Sequence, residues 1–290
     1  MTRTPGYQPH PLPPKRPLIS PNLRTRILTA FVLLPIGFVG MYAGGILWAM
    51  MVAVLAVIGG LEFYALAKGR PNQGIAWVGV SMILAVLLAY SSSAWIVWIL
   101  AVFFGVFAAF LAAVLRTNDM TQVLRQVAMT LAGVFYVGFP MAFLIAIRRL
   151  DDGFSWLLVV CMTTWATDTF AYFGGTAWGK HKLAPRISPK KTVEGAVIGV
   201  IGGFFVAVFV LIFGGVFSLG AIFMLMVAPF VAVAGDLLES ALKRRYDVKD
   251  SHIAGLDVIP GHGGVLDRVD SLMMVAAFCY FFILLTGIAG

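Results

Sequence analysis

The sequence predicts an all-α polytopic membrane protein with about nine transmembrane helices and a polar site that faces the cytoplasm. Three observations carry this. First, 60% of the 290 residues are hydrophobic and only 12% are charged, with a mean hydropathy of +0.94. Soluble domains carry about 25% charged residues, and a globule of this size has too little interior to hide the surplus apolar surface. Second, nine apolar runs approach the roughly 20 residues that a membrane helix needs. Third, when those runs are threaded alternately, 19 of the 21 Lys and Arg residues fall on one side. The balance excludes a soluble enzyme, a disordered scaffold and a nucleic-acid-binding domain, despite the net charge of +8.

In chain order the runs are 27–43, 46–66, 75–91, 94–115, 127–147, 154–175, 196–214, 219–236 and 271–289. Unpaired backbone groups are not tolerated in lipid, so each run is expected to be helical. No alternating pattern of barrel type appears, which argues against strands. Basic loops mark the cytoplasmic side. With the N-terminus there, that side receives 1–26, 67–74, 116–126, 176–195 and 237–270, while Arg148 and Arg149 alone fall opposite. Residues 1–26 read as a Pro-rich cytosolic tail, with seven of the 14 prolines before residue 24. Residues 27–150 read as a transmembrane scaffold of five helices. Residues 151–290 read as a catalytic region of four helices and two polar loops. Cys161 and Cys279 sit inside apolar runs and are expected to be small core residues.

Polar residues concentrate late. Eleven of the 13 acids follow residue 150. Glu62, near a helix end, is expected to snorkel to the interface. Asp168 lies about two turns inside its run. A carboxylate at that depth faces either a structural partner on a neighbouring helix or a functional cavity. The first polar loop carries five cations and two hydroxyls over 180–192, ending in Ser188-Pro189-Lys190-Lys191-Thr192. It suits an anchor to acidic lipid, or a phosphate site that needs charge and hydrogen-bond donors together. Thr192 begins the next helix, whose first N–H groups favour an anion.

The second loop starts on a helix. Asp236, Ser240 and Lys243 are spaced i, i+4, i+7 and so share one face. Later come Lys249-Asp250 and His262-Gly263-Gly264-Val265-Leu266-Asp267-Arg268-Val269-Asp270. Asp267 and Asp270, three residues apart at a helix start, can face one cation. Carboxylates without Cys or paired His suit Mg²⁺ held with substrate phosphates, and disfavour zinc. Several carboxylates, many Lys and Arg, and glycine turns are the equipment of phosphoryl or nucleotidyl transfer.

These residues resemble the signature of the phosphatidate cytidylyltransferases, also called CDP-diacylglycerol synthases. That signature reads Ser-x-apolar-Lys-Arg, four residues, Lys-Asp, then His-Gly-Gly-apolar-x-Asp-Arg-apolar-Asp. It occurs here as Ser240 to Arg244, Lys249-Asp250 and His262 to Asp270. Asp168 to Gly195 resembles the family's second hallmark. The likeness is dense from about 165 to 272 and only general before that. One departure is a longer segment at 251–259, nine residues where the family has about five, which bears on whether His252 or His262 takes the family's position; the flanking residues favour His262.

The resemblance implies the reaction CTP + phosphatidate → CDP-diacylglycerol + pyrophosphate, with Mg²⁺ as cofactor. It implies Asp236, Asp267, Lys243 and Arg268 as catalytic residues, and Asp236, Asp267, Asp250 and Asp270 as metal ligands. Ser188, Lys190, Lys191, Thr192, Ser240, Arg244, Lys249, His262, Gly263 and Gly264 would bind substrate, and Asp168 is a further candidate. The expected partners are CTP, phosphatidate and membrane lipids, not nucleic acid; the sequence leaves a homodimer open. The setting would be a bacterial inner (plasma) membrane, with the active site toward the cytoplasm. A CTP-dependent lipid kinase and a transporter are the competing readings.

Overall fold

The computed structural model describes residues 21–71, 73–92, 95–248 and 264–289. Its helices are α1 Pro21–Ala43, α2 Gly45–Leu66, α3 Ala76–Ser92, α4 Trp95–Val114, α5 Met120–Gly133, α6 Phe139–Arg148, α7 Gly153–Trp178, α8 Val193–Phe213, α9 Leu219–Arg245 and α10 Leu266–Thr286. A π turn over Val134–Gly138 joins α5 to α6 without a break. Among the described residues there are therefore nine helical rods, one for each apolar run.

Five rods are long and apolar enough to span a membrane: Gly45–Leu66, Met120–Arg148, Val193–Phe213, Leu219–Arg245 and Leu266–Thr286. Shorter apolar helices cover Phe31–Ala43, Ala76–Ser91 and Ile99–Val114. The outer surface is strongly apolar, as Phe103, Phe205, Phe223 and Leu284 illustrate, each more than 60% exposed. Only lipid offers such side chains an apolar surrounding, so this is an integral membrane protein. At 26 residues α7 is long, yet it stands outside the five spans. Thr163, Thr164, Thr167, Asp168 and Thr169 dilute its apolar run. Three of those threonines return their hydroxyls to carbonyls one turn back, from Thr163 to Val159 at 2.7 Å, Thr164 to Val160 at 3.0 Å and Thr167 to Thr163 at 2.7 Å. That leaves Asp168 as the helix's charged group.

Three boundaries depart from the expectation. The helix of the first run begins at Pro21, six residues ahead of the run; proline's fixed φ suits a first helical position. The run ending at 236 continues as helix to Arg245, since Leu237, Leu238, Ala241 and Leu242 keep an apolar stripe going between polar residues. The first polar loop folds into a two-stranded antiparallel hairpin, β1 Lys182–Ala184 and β2 Ser188–Thr192, so the chain is not purely helical. Hairpin bonding can satisfy the backbone of this polar segment as well as a helix can, and Pro185 and Pro189 oppose a helix there.

Small residues set the closest helix contact. Gly195, Gly199 and Gly203 recur at i+4 along α8 and face α7. A Cβ at Gly195 would lie 2.7 Å from the Ala171 carbonyl oxygen, and one at Gly199 would lie 2.7 Å from that of Thr167. Glycine is required here because backbone meets backbone, the usual basis of close packing between membrane helices.

The two arginines on the sparse side have structural work. Arg148 donates to the carbonyls of Met41 at 2.7 Å and Tyr42 at 2.8 Å, at the C-terminal end of α1. Arg149 donates to Tyr90 at 2.5 Å and Ser91 at 2.7 Å, near the end of α3. Helix C-termini leave carbonyls unpaired and carry partial negative charge, so cations settle there. Cys161 and Cys279 are free and buried, as expected.

Candidate active site

The hairpin is fixed first. Glu194, in the first turn of α8, accepts from the backbone N–H of Lys180 at 3.0 Å and of His181 at 3.2 Å, and meets the His181 ring Nδ1 at 2.6 Å. Thr192 caps the same helix, its hydroxyl accepting from the Gly195 N–H at 3.2 Å. One N–H of that helix start therefore goes to the protein's own hydroxyl. The effect is to hold β2, with Lys190 and Lys191, over the end of α7 and beside α9.

Between them lies a cavity of about 420 Å³, lined among others by Asp168, Tyr172, Lys190, Lys191, Thr192 and Asp236. Lys191 forms an ion pair with Asp236. The Ser240 hydroxyl stands 3.4 Å from the other Asp236 oxygen. Arg244, one turn beyond Ser240, donates to the Ile187 carbonyl at 3.2 Å and so ties α9 to the hairpin tip. The hairpin and the polar end of α9 are thereby brought side by side. Asp168 is exposed to this cavity rather than locked against a neighbour.

Next along α9, Lys243 sits between two carboxylates, Glu239 at 2.5 Å and Asp267 at 3.0 Å. Glu239 is 2% exposed. The second Asp267 oxygen accepts from the Gly264 N–H at 3.3 Å. Asp270 is buried, accepts from the Ser271 N–H at 2.6 Å, and feels the charges of Asp236, Asp168 and Lys191. Arg268 stands exposed on the first turn of α10, and Ser188 opens β2, half-buried. Lys249, Asp250, His262 and Gly263 lie outside the described residues, as do His252 and the rest of 251–259.

One expectation changes here, that for Glu62. Lys243, read as a catalytic residue, is engaged by two acids. The reason is the i,i+4 spacing from Glu239 together with the approach of Asp267 across the α9–α10 contact. Glu62, read as snorkelling, is 2% exposed. Its carboxylate accepts from the N–H groups of Val265 at 2.9 Å and Leu266 at 2.7 Å. The start of α10 lies against α2, so it offers that acid two unpaired donors inside the protein, a better exchange than reaching for water. Sequence reasoning also missed Glu239 and Glu194. The spacing to Lys243 could have signalled Glu239; nothing local signals Glu62, whose partners are 203 and 204 residues away.

Among the described residues no three acids, histidines or cysteines converge into a closed metal cage. Mg²⁺ does not require one, since it is commonly held by one or two carboxylates plus substrate phosphates and water. Asp168 and Asp236 on one cavity, with cationic side chains opposite, fit that mode. Cavity and fold together define an integral membrane protein with a charged cavity at the ends of its helices.

Comparison with known proteins makes this particular. The sequence pattern of the "Cytidylyltransferase family" matches residues 24–286. The chain is 32% identical over 268 residues to a phosphatidate cytidylyltransferase of Thermotoga maritima, covering 89% of this chain and 95% of that one. To one of Brucella abortus it is 36% identical over 272 residues, covering 90% and 93%. A Bacillus subtilis phosphatidate cytidylyltransferase is 43% identical over 166 residues, 54% of this chain and 57% of that one. The chain belongs to the cytidylyltransferase family and is a nucleotidyltransferase.

Proposed function

We propose that this enzyme makes CDP-diacylglycerol and pyrophosphate from CTP and phosphatidate, with Mg²⁺, for phospholipid synthesis. The observation that carries the reading is the single cavity where Lys190 and Lys191 of the hairpin meet Asp168 and Asp236 of α7 and α9. The relatives bearing that activity in their names span nearly the whole chain, which supports the choice of substrates.

The nucleophile is the lipid phosphate, already anionic, so no strong general base is needed. It attacks the α-phosphorus of CTP and pyrophosphate leaves. The barrier is repulsion between anions plus charge growing on the leaving group. Lys190 and Lys191 would offset both. Lys191 would exchange Asp236 for a phosphate when substrate enters. Ser188, Thr192, Ser240, Arg244 and Arg268 would supply further donors, with Gly264 letting the backbone come close to substrate and, from outside the described residues, Lys249, His262 and Gly263 joining them. Asp236 and Asp168 would hold Mg²⁺ at the cavity, with Asp267 and Asp270 adding negative charge from α10 and Asp250 a further ligand. Bound there, the ion would neutralise phosphate oxygens and orient them for in-line displacement.

The nine rods fit nine membrane crossings, with the N-terminus and the cavity cytoplasmic and the C-terminus opposite. The distribution of Lys and Arg supports this orientation. Such a site would take CTP from a bacterial cytoplasm and phosphatidate from the inner membrane. Reporter fusions after Arg125 and after Lys191 are both expected to read cytoplasmic. The direct test incubates purified protein with labelled CTP, Mg²⁺ and phosphatidate. CDP-diacylglycerol with pyrophosphate is expected. Release of CDP with a doubly phosphorylated lipid would instead make the enzyme a lipid kinase.

A further inference from the structure

Three consecutive N–H groups open the last helix, and two carboxylates take all of them. Gly264 donates to Asp267, while Val265 and Leu266 donate to Glu62 on α2. Both Glu62 oxygens are used, and the side chain is almost fully buried. Helix α2 comes close at this point: a Cβ at Gly59, one turn before Glu62, would rest 3.8 Å from Leu266. Leu266 itself is fully buried. The first turn of α10 is thus fastened to the N-terminal half of the chain by a charge-assisted pair of bonds. Such bonds are about twice as strong as neutral ones.

The residue next to that fastening is Asp267. Its orientation toward Lys243 depends on where the turn sits, because Asp267 has one oxygen on the Gly264 N–H and the other on the Lys243 ammonium. Lys243 in turn belongs to α9, the helix of Asp236. We propose that Glu62 is a positioning residue for the active site, holding the first turn of α10 so that Asp267 meets Lys243. The proposal rests on the functional reading above. It gives a role in the reaction to a carboxylate 205 positions ahead of Asp267, in the half of the chain without a resemblance to the family's signature.

Without Glu62, the Val265 and Leu266 N–H groups lose their acceptor and the turn reorients to find another. A misplacement of about 1 Å at a site of this kind can cost roughly 10²-fold in rate. The test uses the full-length protein in detergent, as wild type, Glu62→Gln and Glu62→Ala. Glu62→Gln keeps one acceptor oxygen and nearly the same volume, so it is the variant expected to fold. Amide exchange over 264–268, thermal melting, and kcat and KM for CTP are measured on each.

Expected for Glu62→Gln are faster exchange confined to the start of α10, a kcat lower by about 10- to 100-fold per folded molecule, and a KM for CTP changed by much less. Glu62→Ala should exceed it in both exchange and kcat loss. Faster exchange with an unchanged kcat per folded molecule would make Glu62 merely structural and overturn the proposal. Unchanged exchange with an active wild type would overturn it as well. A wild type that forms no CDP-diacylglycerol would sink the functional reading first, and the two failures are thereby told apart.

Discussion

The two halves of this chain spend their polar groups differently. In α1 to α6 such groups close the fold. Tyr64 donates to the Thr130 carbonyl at 2.7 Å, the Thr130 hydroxyl accepts from the Ile75 N–H at 2.8 Å, and Arg148 and Arg149 cover helix ends. In α7 to α10 polar groups of opposite charge pair with one another, some of them at the cavity. Lys191 holds Asp236, Lys243 holds two acids, and Asp168 is exposed. Burial with a full complement of partners makes a residue structural. Opposite charges that line a cavity can trade partners for a ligand, and that is what a site requires. Glu62 belongs to the first half by position and serves the second by its bonds.

The comparison can be broken experimentally, starting with the largest effect. Asp236→Asn keeps size and removes the charge at the cavity. Turnover should fall by about 10²–10³, with melting in detergent nearly unchanged; an active variant would move the chemistry out of this cavity. Gly199→Leu should act on the fold instead. Its side chain would press on the Thr167 carbonyl, and overpacking of that kind costs about 1–3 kcal/mol, read as a lower melting temperature and poor recovery of folded protein. Were Gly199→Leu fully stable, the α7–α8 contact would be looser than described.

A smaller effect sharpens the contrast. Tyr64→Phe deletes a buried donor while leaving the Thr130 carbonyl its helical environment. About 0.5–1.5 kcal/mol of stability should be lost, with kcat per folded molecule unchanged. A kcat defect here would show that the first half does more than support. Smallest is Arg70→Ala. Arg70 donates to the Tyr246 carbonyl at 2.8 Å and pairs with Asp247 at 3.1 Å, but in largely solvated surroundings. Pairs of that type contribute about 0.2–1 kcal/mol, so melting should shift slightly and less so at high salt.

The nine rods were legible because runs of apolar residues must be helical in lipid and each run had turn or charge signals at its ends. The site was legible wherever partners lie close in sequence. Asp236, Ser240 and Lys243 share a stripe by spacing, and Lys190-Lys191 stood out by composition. What escaped depends on distant packing. Nothing near residue 62 announces the amides of Val265 and Leu266, and the pairing of Lys243 with Asp267 emerges once α9 and α10 are side by side. The hairpin was missed because its strands are short and polar, with no alternation to read.

The caps supplied by Arg148 and Arg149 bear on how the chain is assembled. The carbonyls they cover, at 41–42 and 90–91, are made long before the arginines are. Until residue 149 is made, those helix ends lack their arginine partners, and what α6 offers α3 is apolar contact such as Phe143 against Tyr90. Arrival of the paired arginines gives both ends their partner within one turn of synthesis. The ends of α1 and α3 therefore receive these caps only after the rest of the first half has been made.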